Sequence, residues 1–155
     1  MAELSPGDEA PHFSLPADGG GTVRLTELRG KIVVLFFYPQ DNTETCTVEA
    51  IDFTKFYPAF KKAGATVIGI SPDSPKKHEK FKSKHGLAMP LVADEERGAI
   101  EAYGVWGEKM MFGRKYMGVI RSTFLIDRDG KIARVWRNVR VSGHAEDVLE
   151  SAKAL

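Results

Sequence analysis

The chain has 155 residues, 43% hydrophobic and 28% charged, enough to build a hydrophobic core without disulfides or metal. Its 22 Lys and Arg against 21 Asp and Glu exclude the broad electrostatic field of a nucleic-acid or membrane-surface binder, and no apolar run approaches a bilayer span. One cysteine, Cys46, can form no internal disulfide, and the acidic start MAELSPGDEAPHFSL lacks the regions of a signal peptide, so a reducing, cytoplasmic location is expected.

In chain order, APHFSLPADGGGTVRLTELRGK reads as two short strands around the glycine-rich turn at 19–21, then a turn containing Leu28. KIVVLFFYP, bounded by Gly30 and Pro39, is a continuous apolar, β-branched and aromatic run that suits a strand buried on both faces. TCTVEAIDFTKFYPAFKKAG carries Val48, Ile51, Phe53, Phe56 and Phe60 at roughly helical spacing and ends at Gly64, with Pro58 expected to kink or interrupt it. ATVIGIS is a second buried strand, PKKHEKFKSKHG an amphipathic lysine-rich helix closed by Gly86, MPLVAD a short strand and EERGAIEAYGV a short helix. WGEKMMFGRKYMGV, rich in Met and aromatics, reads as an irregular loop near a site mouth or a strand flanking Arg121. GVIRSTFLIDRDGKIARVWRN is a β-hairpin turning at Asp129-Gly130, and SGHAEDVLESAKAL a last helix with Ser142 as its N-cap. Parallel βαβ order followed by a hairpin gives an α/β fold: one domain over 1–155, with a mixed central sheet and helices on both faces.

The chemistry centres on FFYPQDNTETC, residues 36–46. The buried strand ends at Pro39, and Gln40, Asp41, Asn42 and Thr43 are residues that build turns and cap helices. With Thr43 as N-cap, Cys46 falls in the first helical turn, where free backbone N–H groups and the helix dipole favour thiolate over thiol. An unperturbed cysteine is only ~3% thiolate at pH 7, so such placement matters. Arg121 interrupts the strand GVIRSTFLI; alternation sets it with Val119, Thr123 and Leu125 on one face, where a guanidinium needs an anionic partner such as a thiolate. The competing structural reading makes Cys46 a small buried hydrophobe and Arg121 an edge-strand cation reaching solvent.

FYPQDNTETCTVEA resembles the active-site segment of peroxiredoxins, thiol peroxidases of thioredoxin-like fold, and most closely the bacterioferritin-comigratory (PrxQ-type) subfamily. Pro39, Thr43 and Cys46 match the family pattern, and GDEAPHFSL, GISPDSPKKHEKF, HGLAMPLVAD and RSTFLIDRDGKI extend the likeness along nearly the whole chain. The resemblance implies that Cys46 attacks a peroxide oxygen as thiolate and becomes a sulfenic acid. It implies that Thr43 hydrogen-bonds the sulfur and the peroxide, that Arg121 stabilises thiolate and leaving oxygen, and that Pro39 shapes the pocket. Glu49 is a further candidate, for orienting the arginine. Hydrogen peroxide and alkyl hydroperoxides are the implied substrates, with no metal, flavin or nucleotide cofactor.

Two departures stand out. Relatives carry a resolving cysteine at the position of Ile51 or near Lys82, and neither is a thiol here. The oxidised sulfur must then be reduced by an external thiol: glutathione, a thioredoxin or glutaredoxin, or a second copy. His12 stands where relatives usually have Asp. The missing thiol also keeps open a redox sensor or interaction protein on the same fold. A monomer without nucleic-acid or membrane partners is expected. His12, His78, His85 and His144 show no metal-ligand spacing and read as solvated or capping residues, and DRDG as a turn rather than a calcium loop.

Overall fold

The computed structural model describes residues 3–155. A small antiparallel pair, β1 (Ser14–Pro16) and β2 (Thr22–Arg24), precedes the central strand β3 (Ile32–Phe37). Then come α1 (Glu44–Lys62), β4 (Ala65–Ser71), α2 (Pro75–His85), β5 (Leu91–Ala93) and α3 (Gly98–Ala102). The chain closes with β6 (Trp106–Met111), β7 (Arg114–Val119), β8 (Ser122–Ile126), β9 (Ile132–Arg137) and α4 (His144–Lys153). The main sheet has the order β5-β4-β3-β8-β9; β3, β4 and β5 are parallel, and β8 and β9 run antiparallel to their neighbours. This is the expected thioredoxin-like mixed sheet.

All six residues of β3 are buried. Alternation sends Ile32, Val34, Phe36 and Tyr38 to the face covered by α1, α2 and α4, where they meet Phe53, Phe60, Phe81 and Val148. Val33, Leu35 and Phe37 face the opposite core with Phe13, Ile100, Tyr103 and Phe124. The strand therefore needs apolar residues at every position, and its continuous run follows from that.

Four local expectations change and a fifth is decided between its two alternatives. Helix α1 runs unbroken through Pro58, held by the buried Phe53 and Phe60 on either side. Its buried stripe is Cys46, Glu49, Ala50, Phe53 and Phe60, while Val48 and Ile51 are exposed; a carboxylate inside the stripe disguised it. Of the two readings of WGEKMMFGRKYMGV, the strand flanking Arg121 holds and the irregular loop does not: the segment is a regular hairpin, β6 paired with β7. The N-cap of α4 is Gly143, at φ 73, not Ser142. Finally, His78 and His144 are buried rather than solvated. The Asp127–Gly130 turn joins β8 to β9 as expected, through Gly130 N–H to Asp127 O at 3.1 Å.

Candidate active site

Cys46 is the third residue of α1, and Thr43 is the N-cap in extended conformation (φ −88, ψ 157). The first helical bond runs from Thr47 N–H to Thr43 O at 2.9 Å, so the N–H groups of residues 44–46 have no helical acceptor. The sulfur thus sits among unpaired donors at the positive end of a 19-residue helix. It is 1% exposed, so an anion there depends on the protein for its solvation.

Arg121 supplies the charge. It lies not inside a strand but in the two-residue break between β7 and β8. The break is pinned by Ile120 N–H to Val105 O at 2.7 Å, Ser122 Oγ to Ile120 O at 2.9 Å, and Val139 N–H to Arg121 O at 3.0 Å. Gly107 of β6 completes the fit: a Cβ there would meet Ile120 Cδ1 at 2.6 Å, so any larger residue makes the Ile120 side chain shift. From this point Arg121 donates through Nη2 to Cys46 Sγ at 3.2 Å and through Nη1 to Glu49 Oε1 at 2.7 Å. Burial opposes the guanidinium charge, but Glu49 and Cys46 outweigh it and push its value upward.

Glu49, one helical turn after Cys46, is buried, and its Oε2 has no hydrogen-bond partner. Burial pushes its carboxyl up from 4.5 to about 7, against the opposing pull of Arg121. Glu49 therefore accepts from the arginine while burial raises its own carboxyl toward neutrality.

Thr43 Oγ1 donates to Gln40 O at 3.0 Å, leaving its lone pairs free to accept a hydrogen bond. The sulfur's side-chain hydrogen bond comes from Arg121 rather than from Thr43. Pro39, Thr43, Cys46 and Arg121 line one open cleft of about 500 Å³, with Trp106, Lys109 and Tyr116 of the hairpin on its far wall. The structure thus gathers all of the expected site residues into one place, with Glu49 behind Arg121.

Two groups escaped the sequence reading. Lys109 holds Val119 O at 2.9 Å, and its ammonium is pushed down by burial and by Arg121 and pulled up by Cys46. It is a second cation facing the same sulfur. The other is a buried network beneath the loop. Asp41 Oδ1 accepts from Tyr38 Oη at 2.6 Å, and Asp41 Oδ2 lies 2.6 Å from His78 Nδ1. Nε2 of His78 reaches Val92 O at 3.0 Å, and Asp73 Oδ2 accepts from Asp41 N–H at 2.7 Å. These bonds tie the loop to β4, α2 and β5, and burial with Asp41 raises the Tyr38 phenol well above its usual value. His78 lies three residues before the buried Phe81, and that spacing was the available signal for its face.

A buried lone thiol at a helix start, gripped by an arginine and opening on a cleft, is the arrangement of a nucleophile rather than a packing residue. Residues 6–135 match the AhpC/TSA family. The chain belongs to this family and is a thiol peroxidase. It is 46% identical over 147 residues to peroxiredoxin Bcp of Bacillus subtilis, covering 95% of this chain and 94% of that protein. Its fold superposes with TM-score 0.94 on a cysteine-to-serine mutant of Xylella fastidiosa PrxQ, at 37% identity over 99% of this chain and 98% of that one. The bacterioferritin comigratory protein of Xanthomonas campestris, solved as a trapped intermediate/ligand complex, superposes at 0.90 with 39% identity, over 97% and 98%. As a peroxiredoxin the chain takes peroxide substrates and a thiol reductant. No helix among the described residues is long and apolar enough to cross a membrane.

Proposed function

We propose that this single-domain peroxiredoxin works through Cys46 alone, with an external thiol completing each cycle. The contact from Arg121 Nη2 to Cys46 Sγ at 3.2 Å carries the reading, because it holds a cation on the sulfur before substrate arrives. The thiolate attacks the terminal oxygen of a hydroperoxide, the O–O bond breaks, and the leaving oxygen takes a proton to depart as water or alcohol. Cys46 becomes a sulfenic acid. Thr43 Oγ1 accepts the hydroperoxide O–H, Arg121 stabilises charge on the leaving oxygen, Pro39 walls the pocket, and Glu49 aims the guanidinium.

The chain has one cysteine, so no internal disulfide follows. An external thiol attacks the sulfenic sulfur, releasing water and leaving a mixed disulfide; a second thiol displaces it and regenerates Cys46. Glutathione, thioredoxin and glutaredoxin are the reductant classes that fit, acting on a cytoplasmic monomer. Hydrogen peroxide and organic hydroperoxides are the substrates. The Xanthomonas campestris bacterioferritin comigratory protein has alkyl peroxide reduction activity, and the cleft walls of Trp106, Met111 and Tyr116 suit an alkyl group here.

The test is mass spectrometry of Cys46 after one equivalent of peroxide, with and without each thiol, alongside Cys46→Ser. A sulfenic acid that each competent thiol clears, and a folded, inactive serine variant, are expected. Turnover retained by Cys46→Ser would end the reading. The missing resolving thiol also favours a redox sensor as a second reading, for which stopped-flow traces would show one slow stoichiometric event instead of sustained turnover.

A further inference from the structure

Among the described residues, large exposed hydrophobic side chains concentrate on one element. Met110, Met111, Phe112, Tyr116 and Met117 are all exposed and all belong to the β6–β7 hairpin, with Phe112 at its tip 98% exposed. The hairpin forms a separate two-stranded sheet projecting beside the cleft. Its residues are ordered along its length. Three apolar side chains, 110–112, make the end, and basic side chains face them across the ladder: Arg114 stands opposite Met111 and Lys115 opposite Met110, with Lys109 one step further back, opposite Tyr116. The aromatic Tyr116 and Trp106 follow toward the body. One carboxylate, Glu108, interrupts the basic belt and is paired with Lys115 at 3.6 Å.

We propose that this hairpin docks the protein reversibly on an anionic lipid surface. Arg114 and Lys115 stand beside Met111 and Met110, so their long side chains can reach anionic headgroups while the apolar end meets the acyl boundary, with Tyr116 and Trp106 at the interface. Total charge near zero describes the whole chain; attraction here is local, within a Debye length of two exposed cations, Arg114 and Lys115. The tip residue also stands at φ 52, a left-handed conformation that a bulky side chain adopts only at a cost. A small polar residue would fit that turn better. Because Lys109, Met111 and Tyr116 also line the Cys46 cleft, docking sets the cleft mouth over the headgroup region. The docking itself is independent of the chemistry assigned to Cys46.

The experiment is flotation of the full chain with phosphatidylcholine vesicles, with and without phosphatidylglycerol, at low and high salt. Wild type should float with the anionic vesicles and not with the neutral ones, with a salt-sensitive preference of up to about fivefold for each of Arg114 and Lys115. Phe112→Asp should weaken flotation at least tenfold, on the order expected for losing one buried aromatic. It should leave hydrogen peroxide turnover unchanged, since Phe112 is outside the cleft. Arg114→Glu, a second variant at an exposed position, should lose the anionic preference. Wild type remaining with the unbound fraction, or flotation unaffected by both variants, overturns the proposal. So does a concentration-dependent dimer abolished by Phe112→Asp, which would make a second copy the occupant.

Discussion

Arg121 Nη2 stands 3.2 Å from Cys46 Sγ across 75 residues of sequence, and the same guanidinium grips Glu49 with its other nitrogen. One cation therefore serves two acids. Arg121→Ala should slow peroxide reduction about 10²-fold, the scale for losing one preorganised donor to a developing oxyanion. Arg121→Lys should recover only part, because one ammonium cannot span both partners as a fork does. Stopped-flow peroxide consumption checks both. An alanine variant reacting at the wild-type rate would remove Arg121 from the mechanism.

Stability should depend on pH through two buried groups of opposite sign. Glu49 has its carboxyl raised from 4.5 to about 7, so between those values the folded state holds more protons than the unfolded one, and its contribution declines as pH rises. His144 has its value lowered from 6.5 to about 4 by burial, so its contribution is lost as pH falls across that window. The two slopes oppose each other between about pH 4.5 and 6.5. Glu49→Gln should therefore steepen the acid loss of stability, and His144→Gln should flatten it. Denaturant midpoints across the range measure this.

The loop carrying Thr43 depends on Asp41. Asp41→Ala strips the partner from both Tyr38 Oη and His78 Nδ1, and should cost about 2–4 kcal/mol as two buried polar groups lose their bonds. Tyr38→Phe removes one donor and leaves the carboxylate on His78, so it should cost less, about 1–2 kcal/mol. Both should slow the peroxide reaction without touching the sulfur, in the same order as their stability losses. Urea midpoints beside peroxide rates test this.

Much of this was legible in the chain, for physical reasons. β3 is buried on both faces, so it reads as an unbroken apolar run, and the cysteine follows it at a loop-to-helix junction that turn-forming residues announce. Polar residues in buried places were harder to read. Glu49, Asp41, His78 and His144 find their partners 14 to 72 residues away, apart from the local Tyr38–Asp41 bond. A periodicity argument treats such residues as solvent-facing. Val48 and Ile51 erred the other way, apolar and exposed beside the site. Arg121 looked like a strand interruption because it is one: the break before β8 is what frees its side chain to reach α1.

Lys109 is a second cation toward Cys46, and its effect should scale with screening. Lys109→Met keeps the aliphatic stem and loses the bond to Val119 O. The peroxide rate should drop several-fold at low ionic strength and less at high salt, since the side chain is only half-buried. Lys109→Arg should restore most of the rate. A methionine variant equally slow at every salt concentration would point to hairpin displacement instead of charge.

Restoring a partner thiol should expose how the helix responds to oxidation. Ile51 is exposed on α1, five residues beyond Cys46. In an intact helix the two Cα atoms stand about 8.6 Å apart, from 1.5 Å rise and 100° per residue. A disulfide tolerates about 7 Å at most. Ile51→Cys can therefore close an internal disulfide only if the first turns of α1 unwind, which also frees Cys46 from Arg121. Peroxide should convert this variant to an intramolecular disulfide with a loss of helical circular dichroism, and should make it less prone than wild type to sulfinic acid. Mass spectrometry and far-ultraviolet spectra of the same sample read both. A disulfide formed with helicity intact would show that α1 bends rather than unwinds at this point, and no disulfide at all would show that its first turns hold against oxidation.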